Sequence, residues 1–338
     1  MRRLLLAIVL AAGGAAAALP QEVPTFTTTV ESVYVDVWVG HGATPLPDLA
    51  PSDFEVKDNG VPQAIELVDT SRVPVHAVLV LDTSASVAGA PLEALKGAAR
   101  AFLEGLAPED RATLVTFSHV RRLQGPVAGA PATVAAALPG LSASGATALQ
   151  DAVFTGLKLA DPRRGRPVLM VFSDGEDRVS WLGAEAVEAV ARESEAAIYV
   201  VDSAGRSDAL NLTSSTEAGT PDTGAAGVRS REPTAAQGTG AADMGSRFRT
   251  PTLRAHETPV FLRHVVEQSG GQVWTAGGAD RLGESFLAVL AHVKSRYLLR
   301  YEPAGVAREG WHKLEVTLRG KKGDVRARRG YSVARAQD

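Results

Sequence analysis

Asp82, Ser84 and Ser86 form a D-x-S-x-S run at the end of an apolar stretch, VHAVLVLDTSAS, over residues 75–86. Two later fragments carry matching oxygens: Thr147 in GATAL and Asp174 in FSDGED. Two carboxylates and three hydroxyls are the ligand types that magnesium, calcium or manganese prefer, whereas zinc and copper favour imidazole and thiolate. No histidine or cysteine stands among the five. The chemistry open to them together is to hold one hard cation through oxygen. A D-x-S-x-S run alone is a weak pattern, because Asp and Ser also collect in loops as caps and turn formers. Three fragments in order, two of them closing apolar runs, are more specific.

The elements that must position these oxygens are legible around them. Residues 75–81 are rich in Val and Leu, lack alternation and are too few for a free-standing helix, so they predict a fully buried parallel strand. Residues 166–173, RPVLMVFS, have the same character and also run into Asp-Gly. In an open α/β sheet, ligands bind where loops leave the carboxyl ends of strands, so two strands that each deliver an Asp there point to one shared site. A helix is expected over 91–106, with Leu92, Leu95, Ala99, Phe102 and Leu103 on one stripe and Pro108 stopping it. A strand at 112–117 should turn back through a hairpin into 123–127. Thr147 should open a helix running to Leu159. Further helices at 185–195, 260–268 and 279–294 alternate with strands at 197–201 and 272–275. This alternation predicts an α/β fold: a doubly wound, mostly parallel sheet over residues 72–295 with helices on both faces.

The two ends of the chain read differently. In residues 33–39, VYVDVWV, every odd position is Val, the period of a half-buried strand. Short strands are expected at 54–57 and 65–68, with Asp58-Asn59-Gly60 as a turn between them. Three more are expected at 296–301, 312–318 and 325–333, with Lys321-Lys322-Gly323-Asp324 as a hairpin turn. Neither end can bury a face by itself. Segments 20–71 and 296–338 are therefore expected to pair in one small β-sandwich flanking the α/β domain. Residues 204–256 are rich in Gly, Thr, Ala and Ser and nearly lack aromatics, the composition of a low-complexity insertion that cannot offset its ordering entropy by burial.

At the motif residues the chain resembles the von Willebrand factor A (VWA) family, whose metal-ion-dependent adhesion site reads D-x-S-x-S, then Thr, then Asp. The resemblance covers roughly residues 73–294, and the terminal segments resemble the flanks of secreted bacterial VWA-related proteins. It implies that Asp82, Ser84, Ser86, Thr147 and Asp174 hold Mg²⁺, with Mn²⁺ or Ca²⁺ as alternatives, and leave one place open for an Asp or Glu of a protein partner. Ala85 departs from the Gly that many relatives carry there, but keeps a small side chain. The expected function is capture of an acidic protein ligand, without catalysis. Two rivals are a metal-dependent hydrolase, which would need a base that the motif loops do not offer, and a scaffold whose ion only staples loops.

Composition narrows the setting. With 338 residues, 45% hydrophobic and 22% charged, the chain can bury one large core or two smaller ones. A net charge of −3 gives no general push toward nucleic acid or an anionic membrane. Arg2 and Arg3, the apolar run that follows them and a stretch of alanines have the order of a secretory signal peptide over 1–19, with cleavage expected between Ala17 and Gln21. Secretion or a periplasmic location is expected, with membrane association only if the signal stays uncleaved. There is no Cys, so neither disulfides nor a lipidated cysteine can form. HExxH, GxSxG and GxxxxGK[ST] are absent. His119, Glu176 and Asp177 stand near the motif fragments, where the bland expectation is an ordinary exposed histidine and a solvated turn.

Overall fold

The computed structural model describes residues 32–173, 177–202 and 258–333. The expected signal peptide, Asp174, Glu176 and the insertion at 204–256 lie outside them. Strands β1 (Val33–His41), β2 (Thr44–Pro45), β3 (Phe54–Asp58), β4 (Val61–Pro62) and β5 (Ile65–Val68) come first, followed by β6 (Val75–Asp82). Next are α1 (Ala90–Glu104), β7 (Arg111–Phe117), β8 (Arg121–Leu123), α2 (Pro131–Ala135), α3 (Leu149–Leu159) and β9 (Arg166–Ser173). The chain continues through α4 (Ala184–Glu193), β10 (Ala197–Asp202), α5 (Val260–Ser269), β11 (Gln272–Thr275) and α6 (Leu282–Lys294). Strands β12 (Tyr297–Tyr301), β13 (Gly310–Leu318), β14 (Asp324–Ala327) and β15 (Gly330–Val333) complete it.

The central sheet has the order β11-β10-β9-β6-β7-β8, parallel except for β8 at the edge. Every residue of β6 and β9 is buried, which explains their unbroken apolar runs. Ala77, Leu79 and Leu81 of β6 pack with Leu95 and Phe102 of α1 and Phe286 of α6. Val78 and Val80 pack on the other face with Val153 of α3, Val187 of α4 and Val265 of α5. Each of the Val, Leu and Phe side chains among them contributes about 1.5–3 kcal/mol on burial. The doubly wound α/β fold expected from the alternation is the one observed.

Local boundaries moved for physical reasons. α3 begins at Leu149, not Thr147, because the Thr147 carbonyl accepts the N–H groups of Arg178 (2.9 Å) and Val179 (3.2 Å) in place of helical donors. The hairpin return strand is Arg121–Leu123, and of the expected 123–127 only Leu123 belongs to it; Gly125, and Ala128 just beyond, take left-handed backbone.

The chain ends form two small sheets, β14-β1-β12-β5 with β2 beside β1, and β15-β13-β3-β4. Val35 and Val37 of β1, Phe54 and Val56 of β3, Leu299 of β12 and Leu314 of β13 share one apolar cluster. Asn59 and Gly60, with φ of 45° and 82°, turn β3 back onto β4 and not directly onto β5. Two expectations fail here. Residues 325–333 are not one strand, because the chain changes sheet at Arg328–Arg329: β14 pairs with β1 and β15 with β13. For the same reason Lys321–Asp324 is no hairpin turn, since β13 pairs with β3 and β15 while β14 pairs with β1.

The opposite face of β1 turns its polar residues to the α/β domain. The Asp36 carboxylate accepts from Arg296 Nε and from Arg166 Nη1, and Arg296 Nη1 also donates to Tyr199 Oη (3.1 Å) and the Gly270 carbonyl (2.9 Å). Trp38 stacks on His292 with ring centroids 4.4 Å apart, and His292 Nδ1 lies 2.8 Å from Tyr199 Oη. Burial, then the charges of Arg296 and Arg326, push the His292 ring down to about 3, so it is neutral.

Candidate metal centre

Asp82 closes β6 and is fully buried, because β6 lies between β7 and β9 at the centre of the sheet. Its Oδ1 accepts the Ser84 N–H at 2.8 Å, the local turn that a D-x-S sequence makes. Its Oδ2 accepts the Ser173 hydroxyl at 2.9 Å, across the pairing that sets Leu81 opposite Phe172. Ser84 Oγ and Ser86 Oγ stand 2.9 Å apart, so three of the five expected ligands form one cluster at the carboxyl end of β6.

Thr147 arrives on a separate segment that is tied to this cluster by backbone. Ser144 N donates to the Thr83 carbonyl (2.8 Å), Ala85 N to the Gly145 carbonyl (2.9 Å) and Ala148 N to the Ser118 carbonyl (2.9 Å). Gly145 has φ of 81°, and a Cβ there would stand 2.0 Å from His119 Nδ1. The glycine is needed for its backbone angle, and the imidazole of His119 lies against it. Thr147 is itself buried. Asp174, the fifth expected ligand, directly follows Ser173 in the chain.

The oxygens of Asp82, Ser84 and Ser86, with Thr147 on the adjoining segment, are those that could hold a hard cation. Their chemistry fits one: carboxylate and hydroxyl oxygens from the ends of rigid strands and their loops, without nitrogen or sulfur. The 2.9 Å between the two serine hydroxyls is a hydrogen bond without an ion. It also equals the edge of an octahedron with oxygens at about 2.0–2.1 Å from Mg²⁺, whereas the longer bonds to Ca²⁺, about 2.3–2.6 Å, would spread the pair.

Around the cluster runs a rim that sequence reasoning largely missed. Buried Asp151, in the first turn of α3, pairs with Arg121 Nη1 at 2.6 Å and accepts the N–H groups of Trp181 (3.2 Å) and Leu182 (2.9 Å). Asp177 accepts the Gln150 N–H at 2.7 Å and the Ser180 N–H at 3.1 Å, so it caps α3 from outside the helix and is not the solvated turn expected. Together they strap residues 177–182 to the start of α3. The strap presents Trp181, 93% exposed, together with exposed Val179 and Arg178, while exposed Val120 stands on the β7–β8 turn. The one sequence signal for Asp151 was an acid in the first turn of a helix, a common feature. Trp181 gave no signal, since exposure of a lone Trp is not written in its neighbours.

Residues 77–176 match the sequence model of the von Willebrand factor type A domain. Over this stretch the chain is similar to von Willebrand factor type A domains. The match runs from β6 past the end of β9 and so includes all five expected ligands. Over 110 residues the chain is 32% identical to an uncharacterized protein of Synechocystis sp.; the alignment takes in 31% of this chain and 26% of that protein, so the chain spans about a quarter of that relative. A von Willebrand factor type A structure from Catenulispora acidiphila is 12% identical, with 83% of this chain and 75% of that one covered at a TM-score of 0.47. An aerotolerance-related membrane protein from Bacteroides fragilis is 17% identical, with 65% and 98% covered at a TM-score of 0.43. Among the described residues, no helix of this chain is long and apolar enough to cross a membrane.

Proposed function

We propose that this VWA domain is a protein-binding module that captures an Asp or Glu of a partner through Mg²⁺ held by Asp82, Ser84, Ser86, Thr147 and Asp174. The observation that carries the reading is the Asp82–Ser84–Ser86 cluster at the end of a central strand, with its 2.9 Å hydroxyl pair. Bound Mg²⁺ would supply a Lewis-acidic, positively charged centre for an incoming carboxylate. The residues do the rest: Ser84 N–H and Ser173 O–H fix the two oxygens of Asp82, and the Gly145 contacts fix the Thr147 segment. The rim agrees with an anionic ligand, because Asp151 and Asp177 are consumed by internal hydrogen bonds while Arg178 is exposed. Trp181 and Val179 add an apolar collar, the composition of an interface core. The order of Arg2, Arg3, an apolar run and a stretch of alanines over 1–19, that of a secretory signal peptide, supports a role outside the cytoplasm.

Calorimetric titration of the mature chain with Mg²⁺ tests the site: heat is expected from wild type and none from Asp82→Ala. Equal heats from both would remove the ion from this place. Capture of a partner from an envelope extract is expected to be lost in EDTA and weakened by Trp181→Ala, which should leave Mg²⁺ affinity unchanged. EDTA-insensitive capture would refute the metal-bridged reading.

A further inference from the structure

At the pole of the central sheet opposite the metal centre, a cleft of about 320 Å³ separates the α/β domain from the terminal sheets. Its floor is the amino-terminal ends of β9 and β10, at Arg166, Pro167 and Ala197, and its roof is Tyr34 and Asp36 of β1 with Leu298 of β12. Arg328, at the point where the chain changes sheet, closes one side. The volume lies at the lower end of the range for small-molecule sites, about 300–1,000 Å³.

The charges in this cleft do not balance. Arg166 and Arg328 are only 7% and 8% exposed, and the Nε of each is buried without a hydrogen-bond partner. Among the described residues, Arg166 makes one side-chain hydrogen bond, Nη1 to Asp36 Oδ2 at 3.3 Å, and that carboxylate is already held by the fully buried Arg296. Arg328 donates Nη2 to the Tyr34 carbonyl at 2.8 Å and lies over the Tyr331 ring, 5.5 Å from its centroid, and its nearest carboxylate, that of exposed Glu195, is 3.9 Å away. Three guanidiniums thus share two carboxylates, one of them loosely placed. An unpaired charge in dry surroundings costs several kcal/mol, and a bidentate carboxylate is the anion whose geometry matches a guanidinium. Val68, Val73 and Pro162 add an aliphatic wall beside Pro167 and Leu298, with Ser269 as a further polar residue of the lining.

We propose that this cleft binds a monocarboxylate with a short aliphatic tail, the carboxylate received by Arg166 and Arg328 and the tail by the aliphatic wall. The ligand would bridge the two halves of the molecule and neutralise the excess guanidinium. The inference is independent of the metal-centre reading, because the two sites lie at opposite ends of the parallel strands.

Octanoate is the probe, titrated into the full mature chain in EDTA so that no divalent ion can offer a rival carboxylate site. Saturable binding and a raised melting temperature are expected. 1-Octanol, which has the tail without the charge, and inorganic phosphate, which has charge without the tail, should each bind at least about tenfold more weakly, the factor that one charged hydrogen bond supplies. Arg328→Met should weaken octanoate by a similar factor, as should Arg166→Met; if Arg166→Met fails to fold, Arg328→Met and the octanol arm still decide. No saturable octanoate binding through the millimolar range, equal binding of octanol, tighter binding of phosphate, or wild-type affinity in the folded arginine variants would each overturn the proposal.

Discussion

Gly145→Ala isolates how firmly the Thr147 segment is held. Two costs arise. An L-residue forced to φ of 81° loses about 1–2 kcal/mol, because its Cβ crowds the following carbonyl. The new methyl would also stand 2.0 Å from His119 Nδ1, so the ring must retreat by about 1.4 Å to reach ordinary contact at 3.4 Å. His119 is exposed and its nearest polar contact, Ser118 Oγ, is long at 3.4 Å, so the ring can turn into water at little cost. The backbone term should dominate. Urea unfolding is expected to show a loss of about 1–2 kcal/mol for Gly145→Ala, a smaller loss for Gly145→Asn, which tolerates the left-handed region better, and no recovery when His119→Ala is added. Relaxation of the strained peptide would pull the Gly145 carbonyl from Ala85 N and carry Thr147 away, so Mg²⁺ affinity should fall in the same order of variants. Full stability in Gly145→Ala, or its rescue by His119→Ala, would refute this account of the loop.

Asp151→Ala should strip Arg121 and the Trp181 and Leu182 N–H groups of their shared acceptor, costing about 2–3 kcal/mol if the N–H groups stay unpaired; proteolysis near residue 181 checks that the strap has loosened. His292 gives a pH dependence. Its ring is pushed down to about 3 in the folded state from an ordinary 6.5, so the unfolded chain binds the extra proton and stability falls as pH drops below about 6.5, levelling only near 3. Between pH 7 and pH 5 this amounts to about 2 kcal/mol. His292→Phe, which keeps an aromatic ring against Trp38, should lose that much less over the same interval, and parallel pH profiles for the two proteins would disprove the assignment.

The central sheet was legible because β6 and β9 are buried on both faces, and burial on both faces writes an unbroken apolar run. The same burial made their ends conspicuous, since a polar residue after such a run needs a reason. Asp82 has one in Ser84 N–H and Ser173 O–H. The terminal sheets were half legible. Alternating valines marked β1, but the switch of sheets at Arg328–Arg329 rests on distant partners, Gln268 accepting from Arg329 N and Leu314 N donating to the Arg329 carbonyl, which no local pattern announces. Asp151 escaped notice for a related reason: its role is set by Arg121 and Trp181, each 30 positions away.

The last strand-to-helix passage of the parallel sheet has a further consequence. β10 ends at Asp202, and Thr258, two residues before α5, donates its hydroxyl to the Asp202 carboxylate at 2.6 Å. The two lips of the intervening 55-residue span are thus clasped at the carboxyl end of β10, next to the strand that delivers Ser173. A sheet closed in this way does not register how much chain is spooled out between the lips, because each doubling of that length changes the closure entropy by only about 0.6 kcal/mol. The position should act as a splice point on the pole that carries the Asp82–Ser84–Ser86 cluster: exchange of the intervening sequence is expected to leave the melting temperature of the fold nearly unchanged.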